Sequence, residues 1–117
     1  MKSHQLGKDG EAFALEFLSA NGYKILTQNY RTPFGEIDII ADEKGTTCFI
    51  EVKTRTGEGF DAFEAVDRRK QHKMTRVAQA YLIERFKTVD VAARFDVLAV
   101  IQGSDGTLRG DLLRNAF

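Results

Sequence analysis

The 117-residue chain has no tryptophan, one cysteine, one proline, two histidines and no net charge. The scarcity of cysteine and histidine closes classes of function. A lone cysteine, Cys48, excludes an internal disulfide. Its place inside an alternating strand marks it as a small core residue, consistent with a reducing compartment. His4 and His72 are isolated and read as surface residues, and no Cys/His cluster has zinc spacing, so any metal must be held by oxygen. No apolar run approaches the roughly 20 residues that a spanning helix needs. The start, Met1-Lys2-Ser3-His4-Gln5, leads into an amphipathic segment and not into the apolar stretch of a secretory signal. A cytoplasmic protein without a membrane partner is therefore expected. No repeat, low-complexity segment or linker interrupts the chain, and its length suits one domain, residues 1–117, around one modest core.

Seventeen basic and seventeen acidic side chains cancel. That balance weighs mildly against a nucleic-acid binder. Distribution matters more than the sum, because Arg68, Arg69, Lys70, His72, Lys73 and Arg76 crowd one short segment.

What is present is a legible order of elements. Gly10 to Asn21 reads as a helix stopped by Asn21-Gly22. Tyr23 to Tyr30 reads as a strand. Thr32-Pro33-Phe34-Gly35 turns into a second, Glu36 to Ala41, and Asp42-Glu43-Lys44-Gly45 into a third, Thr46 to Thr54. Tight turns make these an antiparallel meander. Arg55 to Ala62 is expected to be a loop, and Phe63 to about Lys87 a long helix. Arg94 to Ile101 is a strand, and Thr107 to Arg114 a last edge strand. The fold class is α/β, in the order α-β-β-β-α-β with a tail, a sandwich around a mixed sheet.

Two strands carry the chemistry. In Gly35-Glu36-Ile37-Asp38-Ile39-Ile40 the period of two puts Glu36 and Asp38 on one face and Ile37 and Ile39 on the other. In Phe49-Ile50-Glu51-Val52-Lys53, Glu51 and Lys53 share a face opposite Ile50 and Val52. One reading is a half-exposed sheet face with weak cross-strand ion pairs. Against it, three acids on adjacent strands have Lys53 as their only obvious counter-charge. A bound divalent cation, with a phosphodiester beside it, would relieve that repulsion. Acid-x-Lys is a weak pattern by itself.

In the first helix, Glu11 lies on the stripe of Ala14, Leu15 and Leu18. It is either an N-terminal Glu favoured by the helix dipole with its head in water, or a site carboxylate, and spacing alone favours the first. In the long helix, Met74, Val77, Ala78, Tyr81 and Leu82 define the buried stripe. Projected backward it passes through Lys70, Gln71 and Val66, which turns Lys70 and Gln71 toward the Glu51-Val52-Lys53 end of the sheet. The neighbouring cations are a solvated face or a phosphate grip, and the two readings weigh equally.

Gly10-Glu11, Asn21-Gly22-Tyr23, Asn29-Tyr30-Arg31, Gly35-Glu36-Ile37-Asp38, Glu51-Val52-Lys53-Thr54-Arg55, Ala65-Val66, Lys70 and Arg94-Phe95-Asp96-Val97 resemble the YraN-like family of small bacterial proteins. That family is largely uncharacterised and is related to the PD-(D/E)xK nucleases, including archaeal Holliday-junction resolvases. The resemblance covers nearly the whole chain. It implies a restriction-endonuclease-like αβββαβ core with a mixed sheet flanked by helices. It also implies Asp38 and Glu51 as ligands of Mg²⁺ or Mn²⁺ with the Val52 carbonyl, Lys53 as the lysine of the acid-x-Lys pair, and Glu11 as a helix-borne acid beside the metal. Lys70 and Gln71 take the place of an accessory Lys or Gln, and Arg31, Arg55, Lys70, Gln71, Lys73 and Arg76 become phosphate-gripping candidates. Ile37 stands where the superfamily's Pro precedes its Asp. Glu36 is left as an outer acid or a structural partner of an Arg.

The activity so implied is hydrolysis of DNA, branched or single-stranded, and a homodimer would go with a two-fold branched substrate. The rivals are a module that binds nucleic acid without cutting it, and an interaction protein whose apolar tail, Leu112, Leu113, Ala116 and Phe117, docks a partner.

Overall fold

The computed structural model describes residues 3–57 and 66–117. Its elements are α1 (Ser3–Ala20), β1 (Lys24–Thr32), β2 (Gly35–Glu43), β3 (Thr46–Thr56), α2 (Arg68–Phe86), β4 (Ala93–Gln102) and β5 (Leu108–Leu113). The five strands form one sheet in the order β1-β2-β3-β4-β5. β1, β2 and β3 are the expected antiparallel meander. β4 returns parallel to β3 after α2, and β5 closes the far edge antiparallel. The sheet is mixed, and with its two helices it has the αβββαβ order of the restriction-endonuclease-like class. Among the described residues no helix is long and apolar enough to cross a membrane.

The sheet has a helix packed on each face, so β3 and β4 at its centre are apolar in both directions. On the α1 face, Ala14 and Leu18 meet Ile39, Cys48, Ile50, Leu98 and Val100. On the α2 face, Met74, Val77, Ala78, Tyr81 and Leu82 meet Ile37, Ile40, Phe49 and Val97. Cys48 is fully buried and unpaired, as expected of a core thiol.

Three expectations need correction. The first helix begins at Ser3, not Gly10. Gly10 lies inside it, where a Cβ would collide with Cγ2 of Thr54, so glycine is what lets α1 approach β3. The second helix begins at Arg68, because Asp67 caps it: its backbone is extended and its Oδ1 accepts the Lys70 N–H at 2.8 Å. Val66 therefore precedes the helix, though it is buried in the α2 cluster, and residues 63–65 and most of the expected loop lie outside the described residues. The apolar tail is largely folded onto its own sheet. Phe117 stacks on Phe95 at 4.7 Å, Ala116 N–H donates to the Phe95 carbonyl, and Leu112 packs on the α1 cluster, leaving Leu113 as the exposed apolar residue of the four.

Candidate active site

The site is built at an irregularity in the meander. In the β1–β2 register, Gln28 pairs with Ile39 and Tyr30 with Ile37, which sets Asn29 across from Asp38. Asn29 has φ 51°, in the left-handed region that asparagine tolerates better than most residues. On the other side, β2–β3 pairing begins only at Ile39↔Ile50. Strict alternation along β2 fails here: Ile37 belongs to the α2 cluster and Ile39 to the α1 cluster. The expectation that Ile37 and Ile39 share a face, opposite a shared Glu36–Asp38 face, is thus overturned. In place of a ladder bond, Asp38 Oδ2 accepts the Val52 N–H at 2.8 Å. The carboxylate is fixed in the gap between β2 and β3.

β3 keeps its alternation. Phe49 faces α2, Ile50 faces α1, and Glu51 and Lys53 follow Phe49 toward α2. Glu51 is only 5 % exposed. A carboxylate so buried needs partners. Two ammonium groups meet its Oε1: Lys53 at 3.2 Å, and Lys70 from the first turn of α2 in direct contact. The backward projection of the α2 stripe thus places Lys70 correctly. Gln71 goes elsewhere, its amide donating to the Val66 carbonyl.

The electrostatics follow from this crowding. Burial, then the charge of Glu51, lifts Asp38 from 3.8 to about 6, against the Val52 N–H and the Lys70 charge, which pull it down. Lys53 is pushed below its ordinary value by burial and by the neighbouring Lys70. Burial pulls Lys70 down as well, but its hold on Glu51 outweighs this and its value rises. Two acids and two lysines of unequal basicity are thus gathered at one end of β3.

Asp38 also opens into a cavity of about 150 Å³ on the α1 side, lined by Gly7, Glu11, Gln28, Asn29, Val52 and Thr54 among others. Glu11 is exposed and sits well past the first turn of α1, where a helix dipole has little hold. The helix dipole therefore does not account for Glu11, though its head does reach water as the first of the two readings held. Asp38, Glu11, Gln28 and Asn29 bring oxygen donors to this cavity, while Glu51 stands on the α2 side of β3; carboxylate and amide oxygens of this kind suit a hard divalent cation. Among the described residues no three His, Cys, Asp or Glu side chains are already gathered as a metal cluster. A bound ion would therefore keep several waters or phosphate oxygens, as Mg²⁺ commonly does.

The remaining candidates lie around this centre. Glu36 pairs with Arg31 at 3.5 Å on the surface, one of the two roles left open for it, and its charge also acts on Asp38. Arg55 bonds the Thr54 carbonyl at 2.8 Å near the end of β3. Lys73 lines a groove with Glu36, Arg69 and Lys70, and Arg76 covers the Phe34 ring. The first turn of α2 carries Arg68, Arg69 and Lys70 and no acid. Cations there oppose the helix dipole, and a phosphate would reverse the mismatch.

Residues 10–100 match UPF0102, described as an uncharacterised protein family. The chain belongs to the UPF0102 family. A UPF0102 protein of Symbiobacterium thermophilum is 45% identical over 116 residues, 98% of each chain. One from Desulfosudis oleivorans is 45% identical over 97% of this chain and 89% of its own, and one from Chlorobaculum parvum 50% identical over 85% and 77%. The family resemblance drawn from the sequence holds at this level. The span matching UPF0102 contains Glu11, Asp38, Glu51, Lys53 and Lys70.

The chain also holds a second polar group that sequence reasoning did not assign. Asp96 is wholly buried and accepts from Tyr23 Oη, from Arg94 Nε and from the Asn115 N–H, at 2.8 to 3.2 Å. Arg94 and Arg114 both reach Glu43, whose carboxyl they hold down at about 2, Arg114 contributing most. β4 pairs Arg94 with Cys48 and Ala99 with Lys53, so this group stands at the opposite end of β3 from the acids. Its role is structural. The signal was available: an Asp inside Phe95-Asp96-Val97-Leu98 is a charge in a central strand, which demands partners.

Proposed function

We propose that this UPF0102 protein is a Mg²⁺- or Mn²⁺-dependent nuclease that hydrolyses DNA phosphodiester bonds, with branched and single-stranded DNA as the leading substrates. The observation that carries this reading is the meeting of Asp38 and Glu51 beside Lys53 and Lys70. The charge of Glu51 helps raise the proton affinity of Asp38, so the fold holds the two together at a cost that a divalent cation would offset. The chemistry such an ion supplies when bound is polarisation of a phosphoryl oxygen and acidification of water.

The chain's own residues do the rest. Asp38 and Glu51 would hold the cation, and the Val52 N–H fixes the Asp38 carboxylate in its orientation. Lys53, made less basic by burial, stands where it can hold or release a proton at Nζ and offset charge that develops on the phosphate. Lys70 must leave Glu51 for a cation to take its place, and once free it would face a phosphate oxygen. Glu11 would orient water in the cavity it shares with Asp38. Arg68, Arg69, Lys73 and Arg31 supply a basic rim, so binding should weaken as salt rises.

Lys70 on Glu51 is also the observation that favours a second reading, a module that binds DNA with its acids neutralised internally and cuts nothing. Labelled single-stranded, duplex, flap and four-way-junction DNA, incubated with Mg²⁺ or Mn²⁺, separates the two. Cleavage should fall by roughly 10²-fold or more in Asp38→Ala and in Lys53→Ala, the scale for loss of one electrostatic element of a transition state. Equal cleavage by wild type and Asp38→Ala would overturn the assignment. Binding without cleavage would select the second reading, and a junction-specific dimer in sedimentation would identify a two-fold substrate.

A further inference from the structure

We infer that Phe34, at the tip of the β1–β2 hairpin, is a stacking platform for an unpaired base of single-stranded DNA, with the basic edge of α2 holding the flanking phosphates. This rests on the proposed function and narrows its substrate to DNA with unpaired bases.

The hairpin is tight. Thr32 pairs with Gly35, so Pro33 and Phe34 alone form the connection. Pro33 limits the backbone, the Phe34 N–H is held by Thr32 Oγ1 at 3.1 Å, and Gly35 takes φ 145°. The result is a fixed projection that leaves Phe34 42 % exposed. The Arg76 guanidinium lies 4.0 Å from the ring centroid, a cation–π contact that steadies the ring from one side. An aromatic ring displayed on a rigid tip and braced by a cation is poorly explained by core packing.

Its surroundings are basic. Phe34, Arg68, Arg69, His72, Lys73 and Arg76 line one open groove of about 530 Å³. Arg69 and Lys73 also line the next groove, which contains Glu36 and Lys70, and Lys70 touches Glu51. A strand with a base on Phe34 would therefore run past Arg69 and Lys73 toward the catalytic carboxylates. Among the described residues Arg68, Arg69 and Lys73 form no ion pair, so these three cations remain for phosphate. A basic track beside an exposed aromatic is the recipe for single-strand binding, because every base has a face to stack and only an unpaired one can present it. Duplex DNA offers the same phosphates but keeps its bases enclosed.

The test is fluorescence anisotropy with labelled oligothymidylate, with an abasic strand of the same length and charge, and with duplex DNA. Ca²⁺ replaces Mg²⁺ so that the strands stay intact. Wild type should prefer thymidylate to the abasic strand. Phe34→Ala should abolish that preference, weakening thymidylate binding by roughly 5- to 150-fold, the range for loss of one base–aromatic stack. Its abasic binding and salt dependence should not change. Phe34→Trp should restore the preference, and Arg68→Gln with Arg69→Gln should weaken all three ligands and flatten the salt dependence. Equal wild-type binding of thymidylate and abasic strand, or a preference that survives in a folded Phe34→Ala, would overturn the stacking role alone. Binding of no strand would overturn the nucleic-acid reading with it.

Discussion

Asp38→Asn should make the protein more stable at neutral pH while removing the activity proposed for it. Folding lifts the Asp38 pKa from 3.8 to about 6, chiefly by burial and then by the charge of Glu51. Between those values the folded chain holds the proton more tightly than the unfolded chain, so stability falls as pH climbs through this window. Below it both states are protonated and the site costs nothing in charge. Above it the ionised carboxylate carries the full cost, up to about 3 kcal/mol at about 1.36 kcal/mol per pH unit. Asparagine keeps an oxygen for the Val52 N–H and removes the charge that repels Glu51. Urea unfolding of both proteins from pH 3.5 to pH 8, without divalent metal, should show the two curves parting as pH rises. The advantage of Asn, small at the acid end, should grow toward 2–3 kcal/mol at pH 8, on the order of 10 °C in Tm for a domain of this size. Adding Mg²⁺ should stabilise wild type more than the variant and narrow the gap. A pH-independent difference, or a variant less stable than wild type at pH 8, would refute the reasoning, because the charge of Asp38 would then not be a burden on the fold.

Two other substitutions probe the same end of the sheet. Lys53→Met and Lys70→Met should each cost about 1 kcal/mol, since either lysine alone still meets Glu51 Oε1, whereas the double variant strands a buried carboxylate and should cost about 3–5 kcal/mol. Additive costs in a double-mutant cycle of urea midpoints would show that the lysines do not share one partner. Gly10→Ala should cost about 1–3 kcal/mol by driving a methyl against Thr54 Cγ2, and Thr54→Ser, which removes that methyl, should restore most of it. No rescue in thermal unfolding would mean that α1 approaches β3 less closely than the structure shows.

The meander was legible because apolar and charged residues alternate between strong turn signals, Pro33-Phe34-Gly35 and Asp42-Glu43-Lys44-Gly45. Lys70 beside Glu51 was legible too, since a helical stripe read from Met74 to Leu82 extends backward to it, although the same projection also took in Gln71, which bonds the Val66 carbonyl instead. The start of α1 was not, because Gly10 weakens a helix in isolation and is kept for the space it leaves to Thr54, a tertiary fact. The start of α2 was readable from Asp67, a capping residue, but the apolar Phe63 and Val66 extended the apparent stripe past it. Least legible was the break at Asp38. The period of two assumes an unbroken ladder, and nothing in Glu36-Ile37-Asp38-Ile39 announces that Ile37 and Ile39 pack on opposite sides. At that break Asn29 takes its left-handed φ of 51° and Asp38 is held by the Val52 N–H in place of a ladder bond.

The order in which the chain closes has a consequence for how it folds. Asp38 and Glu51 come from neighbouring strands of a local meander, joined by a short turn. Lys70 lies on the crossover between β3 and β4, whose parallel pairing joins residues as far apart as Thr47 and Ala93. Local hairpins form before such long-range pairings. A meander paired first would bring Asp38 and Glu51 together with Lys53, and the helix that follows would bring the second cation, Lys70. The contact of Lys70 with Glu51 is thus a marker of the finished crossover, made only once α2 is in place.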